Sequence, residues 1–268
     1  MHQTGLKRLR RRMLPPALTC LLRGLLVASC YYFAALLGIS LAIPPGFATT
    51  LWPPSGIALG ATLIWGRSIL PGLFLGSFLI NLGISSSGDD DKLALLISSG
   101  IATGSLLQAQ LTAMAIRHWI GYPNALINDR DVFRFYGLAG PLGCLINASF
   151  SLGLLWLAGR VTLDTLPLNW LTWWLGDTIG VFIFTPILLA FFGKPRGAWR
   201  FRRRVLALPL IVSFCITSLF FLYSRDFELR RQKTELQALS NTASDSVRHA
   251  VTSHLEELYT LQGLFHAA

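Results

Sequence analysis

The chain has 268 residues, of which 53% are hydrophobic and only 13% charged, with a formal net charge of +10 at pH 7. Soluble globular proteins carry roughly 25% charged residues, so this composition, with a mean hydropathy of +0.53, excludes an ordinary soluble domain and makes the lipid bilayer the main solvent. The positive charges fall in short blocks between apolar runs, which argues against nucleic acid as a partner and for the anionic lipids of a cytoplasmic leaflet.

A basic arm, residues 1–17, comes first and holds Lys7, Arg8, Arg10, Arg11 and Arg12. Apolar segments follow at Leu18–Ile43, Leu51–Trp65, Ile69–Ile84, Leu93–Ile116, Val132–Ala158, Trp170–Phe192 and Val205–Tyr223. Each reaches or approaches the roughly 17–25 residues of a spanning helix. The first starts too late and runs too long for a removed signal peptide, so it reads as a retained span. The second and third are short, about 22–24 Å if helical. As one re-entrant hairpin they would place Arg67 within the membrane, which is costly. Two short spans, with the bilayer thinned or the loops drawn in, are the preferred reading. The expectation is an all-α, polytopic transmembrane helix bundle of about seven spans.

Lys and Arg in the short loops set the orientation. With the basic arm inside, alternate loops contain Arg67, then Arg117, Arg130 and Arg134, then Lys194, Arg196, Arg200, Arg202, Arg203 and Arg204. The opposite loops hold only Lys92 and Arg160, and Lys92 follows the acidic run Asp89–Asp91. The N-terminus is therefore expected inside and, after seven crossings, the C-terminus outside. For a bacterial inner membrane this makes the C-terminal helix periplasmic. Trp52, Trp156, Trp170, Trp173 and Trp174 fall at the expected outer ends of spans, and Trp65, Trp119 and Trp199 at or near inner ends. Indole rings favour both interfaces.

After Tyr223 the sequence turns polar. Leu236, Leu239, Ala243, Val247, Val251, Leu255, Leu258 and Phe265 recur at threes and fours, the pattern of an amphipathic helix. Its apolar face requires a partner, the rest of a domain or another subunit, so the chain reads as the front part of a longer design.

Little in the sequence speaks of catalysis. The four cysteines lie inside apolar runs without a CxxC pair and read as small buried hydrophobes. The five histidines show no metal-ligand spacing, and no phosphate loop, nucleophile elbow or HExxH helix is found. No enzyme activity, metal or cofactor is expected within these residues.

Asp177 is the sharpest single residue, because a carboxylate inside a span costs roughly 2.5–3.5 kcal/mol on insertion scales. It must be paired, protonated or facing a wet cavity. A buried structural carboxyl and a ligand or proton site are both open readings. Arg23 lies at the other depth and is expected to snorkel to the inner surface. The neutral candidates for its partner are Ser55, Asn81, Gln108, Gln110 and Asn147, each of which also reads as an ordinary helix–helix hydrogen bond. Pro186, nine residues on, removes a helix hydrogen bond and gives that helix a place to bend. The small-xxx-small pairs Gly56/Gly60, Gly72/Gly76, Gly100/Gly104 and Gly176/Gly180 read as close packing inside one bundle rather than a dimer seam. Trp52, Pro53 and Pro54 read as the start of a helix, since proline fits the first turn, where N–H groups lack partners anyway.

Three blocks in order, "WPPSGIALGATLIWG" (Trp52–Gly66), "LPGLFLGSFLINL" (Leu70–Leu82) and "WWLGDTIGVFIFTPILL" (Trp173–Leu189), resemble the MASE1 family of integral-membrane sensory regions in bacterial signalling proteins. The resemblance covers residues 18–223. The tail from residue 224 to 268, ending "HLEELYTLQGLFHAA", looks like the opening helix of a CHASE-like periplasmic sensory domain. The matched positions are Trp52, Pro53, Pro54, Ser55, Gly56, Trp173, Gly176, Asp177, Gly180 and Pro186, and the family supplies no ligand for them. The resemblance implies a receptor input module, with a diguanylate cyclase, a cyclic-di-GMP phosphodiesterase or a histidine kinase as its cytoplasmic output. Homodimerisation follows from how such outputs work. The stimulus, a small molecule or a physical signal, is not readable. The rival is a small-solute transporter, which short Gly/Pro-interrupted spans and an intramembrane carboxylate also suggest. It predicts an internal repeat, which is not seen, and no outward amphipathic helix.

Overall fold

A computed structural model of the chain describes residues 15–41, 51–85, 91–124, 126–197, 199, 203, 207–216, 218–219, 237, 244–245 and 248–249. The chain divides into two compact units, Met1–Cys215 and Ile216–Ala268. In the second, the described residues are few and helical. The residues of the amphipathic stripe read from Leu236 to Phe265, and all of the CHASE-like stretch 224–268 except 237, 244–245 and 248–249, lie outside the described residues.

In the first unit the named elements are helical: α1 (Pro16–Ser40), α2 (Pro53–Trp65), a 3-10 turn (Gly66–Ile69), α3 (Leu70–Ser85), α4 (Asp91–Trp119), α5 (Asp129–Gly137), a π-helical turn (Leu138–Leu142), α6 (Gly143–Leu157) and α7 (Leu166–Phe192). No strand occurs among the described residues. Five stretches are long and apolar enough to cross a membrane: Pro16–Ser40, Pro53–Ser85, Asp91–Trp119, Asp129–Leu157 and Leu166–Phe192. The seventh segment of the sequence reading lies partly outside the described residues, with helix at 208–216.

Local chemistry explains the ends. Prolines occupy the first turns of α1, α2 and α7, where no N–H is lost from the helix ladder. Asp91 opens α4 and Arg117 stands in its last turn, each charge complementing the helix dipole. Gly66 ends α2 with φ +71°, a conformation that costs a residue with a Cβ.

Side-chain meetings fix the directions. Gly24 lies against Gly72, and Gly76 against Ala28 and Tyr31, so α1 and α3 run parallel. Gly38, at the end of α1, meets Trp52 at the start of α2, so α2 runs back. Hence α2 and α3 are antiparallel, and the 33-residue stretch Pro53–Ser85 is a helical hairpin turning at Gly66–Ile69. Gly100 packs on Leu154 and Gly104 on Asn147 and Ser151, which sets α4 against α6 antiparallel. Contacts of Trp170 with Ser149 and Trp174 with Pro141 do the same for α6 and α7. Gly56 on Gly180 and Gly60 on Leu188 make α2 and α7 parallel. The chain thus reverses between successive helices through α7, with α5, the π-helical turn and α6 counted as one continuous stretch. The small-residue pairs are spent on close packing within this bundle.

The buried apolar residues form three clusters. One joins α2, α4, α6 and α7 around Leu59, Leu63, Ile116, Cys144, Val181 and Leu189. A second joins α1, α2 and α3 around Val27, Tyr31, Leu73 and Ile80. The third joins α4 and α6 around Ile97, Ile101, Leu152 and Leu155. By contrast, Leu21, Leu22, Leu25, Leu26 and Phe33 of α1 point outward, the arrangement expected when the surrounding solvent is lipid. Arg23, on the same helix, is exposed.

The sequence reading put Trp52 at the outer interface. In the bundle its N–H donates to the Gly176 carbonyl at 3.0 Å, next to Asp177 and well inside the 27-residue α7. The reason is length: α2 has 13 residues, about 20 Å. It cannot match α7, about 40 Å long, so Trp52 stands beside the middle of α7 rather than beside its first turn.

Candidate functional site

The site is built where α2 begins, beside the middle of α7. Trp52 precedes α2, and Pro53 and Pro54 form its first turn, both buried. Ser55 Oγ donates to the Trp52 carbonyl at 2.8 Å and lies 2.9 Å from the Asp177 carbonyl. Gly56 and Gly180 meet backbone to backbone: a Cβ on Gly56 would strike the Gly180 carbonyl, and one on Gly180 would strike the Trp52 carbonyl. Thr185 Oγ1 donates to the Gly56 carbonyl at 3.0 Å. The quoted motifs of α2 and α7 are therefore two halves of one contact, with main-chain carbonyls capped by side chains of the other helix or of their own.

Asp177 is fully buried. Asn147 Nδ2, on α6, donates to its Oδ2 at 3.2 Å. Ser151 Oγ, one turn along α6, donates to Asn147 Oδ1 at 2.8 Å, so the amide presents its N–H side to the carboxyl. Gly104 on α4 makes room for this pair, since a Cβ there would come within 2.6 Å of Asn147 Oδ1. Gln108, one turn further along α4, is the second amide at the carboxyl. Its Nε2 also reaches Cys144 Sγ at 3.7 Å, and the thiol reaches the Ala139 carbonyl at 3.7 Å. Of the four cysteines read as small buried residues, Cys144 is one, with a use for both its weak donor and its weak acceptor, whereas Cys20, Cys30 and Cys215 are exposed on the outside of their helices. The groups around Asp177 are amides rather than cations.

The other residues singled out fall elsewhere. Asn81 is buried but donates to the Ser77 carbonyl of its own helix at 2.8 Å. Trp173 packs against the outer apolar cluster of α4 and α6. Gly176 contributes its carbonyl to Trp52. Pro186 is buried in α7, which continues through it as helix to Phe192. Of the amides considered for Asp177, the structure brings Asn147 and Gln108 to it.

Sequence reasoning missed three features. A hydroxyl trio joins α1, α3 and α4: Tyr31 OH donates to Ser77 Oγ at 3.3 Å and lies 3.4 Å from Ser105 Oγ, with Ser77 and Ser105 3.3 Å apart. Ser105 sits one turn from Gln108, so α4 carries both polar groups. The π-helical turn with Pro141 was hidden in what read as one uninterrupted span. Its widened backbone lets the Trp174 indole N–H donate to the Pro141 carbonyl at 2.8 Å, next to the Asp177 site. Thr112 on α4 and Thr178 on α7 are buried hydroxyls near the site, and nothing in the sequence sets them apart from a hydroxyl that bonds its own helix, as Thr62 does to Ala58 at 2.7 Å.

At the opposite end of α7, basic residues close helices. Arg117 Nη2 donates to the Thr62 and Leu63 carbonyls at 2.8 and 3.2 Å. Arg203 donates through Nε and Nη2 to the Ala190 and Phe191 carbonyls at 2.8 and 2.6 Å. Both bring a charged donor to last-turn carbonyls, of which Thr62 also accepts from the Gly66 N–H, at the end that the charge pattern assigns to the inside.

No curated protein and no solved structure gives a significant match to the chain. The profile of the MASE1 family matches residues 22–230, a range that contains most of α1, all of α2 through α7 and every residue of the Asp177 site. With that match and its apolar helices, this multi-pass membrane chain belongs to MASE1, a family of membrane sensory domains found in signalling receptors.

Proposed function

We infer that the bundle is the sensory input module of a bacterial signal-transduction receptor, and that its stimulus is read at Asp177. The observation that carries this reading is the seating of one fully buried carboxyl by α6, while its own backbone carbonyl receives the first turn of α2. A change at the carboxyl, in charge or in bound partner, alters what holds three helices in register. Two packings of the helices would then differ in free energy, and the stimulus would shift their populations. α7 and the segment Val205–Tyr223 would carry that bias out of the bundle. In this reading the chain lies in the inner membrane with its C-terminal helix periplasmic. It acts as a homodimer without enzyme activity of its own and drives a cytoplasmic diguanylate cyclase, phosphodiesterase or histidine kinase. A CHASE-like domain would begin near residue 224.

The test is Asp177→Asn in the complete receptor, with membrane levels measured alongside. The expected result is a changed basal output or a changed stimulus response at normal membrane abundance. Unchanged output and response would make the carboxyl merely structural. Transport is tested separately in reconstituted vesicles, where solute uptake that depends on Asp177 would replace the receptor reading.

A further inference from the structure

A cavity of about 620 Å³ opens between the α4–α5 loop and the chain just after α7, lined by Pro123, Lys194, Pro195 and Arg196. It lies at the end of the bundle that the charge pattern assigns to the inside. The fold anchors both of its sides. Trp199, which is buried, donates from its indole N–H to the Lys194 carbonyl at 3.3 Å and from its backbone N–H to the Pro195 carbonyl at 3.4 Å. Across the cavity Tyr122, next to Pro123, packs against the apolar cluster of α2, α4, α6 and α7. The Lys194 and Arg196 side chains remain exposed on this fixed backbone.

Charge decides what fits. Proline rings bring no N–H, so Lys194 and Arg196 supply the side-chain polar groups of the lining. Among the described residues neither forms an ion pair with a carboxylate. Asp131 on α5 accepts instead from Asn124 Nδ2, beside Pro123, at 3.4 Å. The basic residues nearby have other work: Arg117 and Arg203 hold last-turn carbonyls of α2 and α7. Arg203 thereby sets a positive charge against the negative end of the α7 dipole, just before Lys194. The cavity therefore favours an anion, and an ammonium beside a guanidinium suits the oxygens of a phosphate group.

The surroundings point to the source of that phosphate. Both segments that form the cavity leave helices whose last residues show exposed aromatic rings, Trp119 at the end of α4 and Phe191 and Phe192 at the end of α7. An exposed indole marks the headgroup level of a bilayer, and exposed phenyl rings at the same helix ends offer apolar contact to acyl chains. Basic pockets between membrane helices on the cytoplasmic side hold anionic head groups. We propose that Lys194 and Arg196 bind the phosphate of an anionic phospholipid, seated between the α4–α5 loop and the end of α7. This site is separate from Asp177 and does not rest on the sensory reading.

Native mass spectrometry of the full chain, purified in detergent and titrated with lipid, tests the site. Phosphatidylglycerol and phosphatidylcholine of matched chains are compared, because they differ in head-group charge. Phosphatidylglycerol should bind more tightly. Lys194→Gln and Arg196→Gln should each weaken it by about fivefold, and the double substitution by on the order of twentyfold, with phosphatidylcholine unchanged. Both side chains are exposed and Trp199 uses only the Lys194 carbonyl, so the variants keep the fold. Arg160→Gln, in the turn between α6 and α7 at the other end of the bundle, should leave the preference at its wild-type level. Equal affinity for the two lipids overturns the site, as does a preference that the double substitution leaves in place or that Arg160→Gln reduces as much. Inorganic phosphate should not displace phosphatidylglycerol; displacement by it would make a free phosphate the occupant and overturn the lipid assignment.

Discussion

Asn147 donates to Asp177 Oδ2 at 3.2 Å, and this amide–carboxyl pair joins α6 to α7 where α2 begins. The pair shares its level in the bundle with Ser55, so three helices take their register from one residue. Replacing Asn147 by Ala would strip the carboxyl of its best donor and leave a buried acceptor unsatisfied, at a cost of about 1–3 kcal/mol. A lowered melting temperature of the purified chain, by several degrees, is the expected readout.

Gly180 and Gly153 make a matched comparison. A Cβ at Gly180 would strike the Trp52 carbonyl and come within 2.8 Å of Ser55 Oγ, whereas Gly153 has open space around it. Gly180→Ala should therefore destabilise the bundle by about 1–3 kcal/mol through forced separation of α2 and α7. Gly153→Ala, in the interior of α6, should be neutral or stabilising by up to about 1 kcal/mol. Equal melting temperatures for the two variants would contradict the α2–α7 contact.

Arg117 closes α2 from another helix. Its Nη2 reaches the Thr62 and Leu63 carbonyls, which hydrogen bonding to a charged donor makes worth about 1.5–3 kcal/mol. With Arg117→Ala, amide hydrogen exchange should rise by on the order of tenfold in the last turn of α2 and the turn at Gly66–Ile69. Exchange elsewhere in α3 should stay near the wild-type rate.

The charge-based orientation is open to chemical labelling. In a chain without its native cysteines, Lys92→Cys should react with an impermeant maleimide added outside intact spheroplasts. Arg67→Cys should react only after permeabilisation. The opposite pattern would invert the orientation.

Much of the fold was legible because lipid leaves few options for a backbone: apolar runs of this length become helices. The prolines after Trp52 were readable as a helix start, and the small-residue pairs as packing faces, since both follow from local chemistry. The meeting of Trp52 with Gly176 was not, because it depends on the unequal lengths of α2 and α7 and on their register. The partner of Asp177 was readable only as a set. Asn81, Gln108 and Asn147 are equivalent on paper, and helix rotation turns Asn81 to its own backbone while Asn147 and Gln108 face the carboxyl. The π-helical turn at Pro141 left no trace in hydropathy, since one inserted residue scarcely changes an apolar run.

The most direct test of the central claim exchanges the pair. Asp177→Asn, Asn147→Asp and the double exchange are compared in the complete receptor for basal output, stimulus response and membrane abundance, as a double-mutant cycle. If Asp177 and Asn147 form the sensing pair, each single change alters the output at normal abundance and the double exchange recovers part of the wild-type response. Wild-type output and response in all three variants would contradict it.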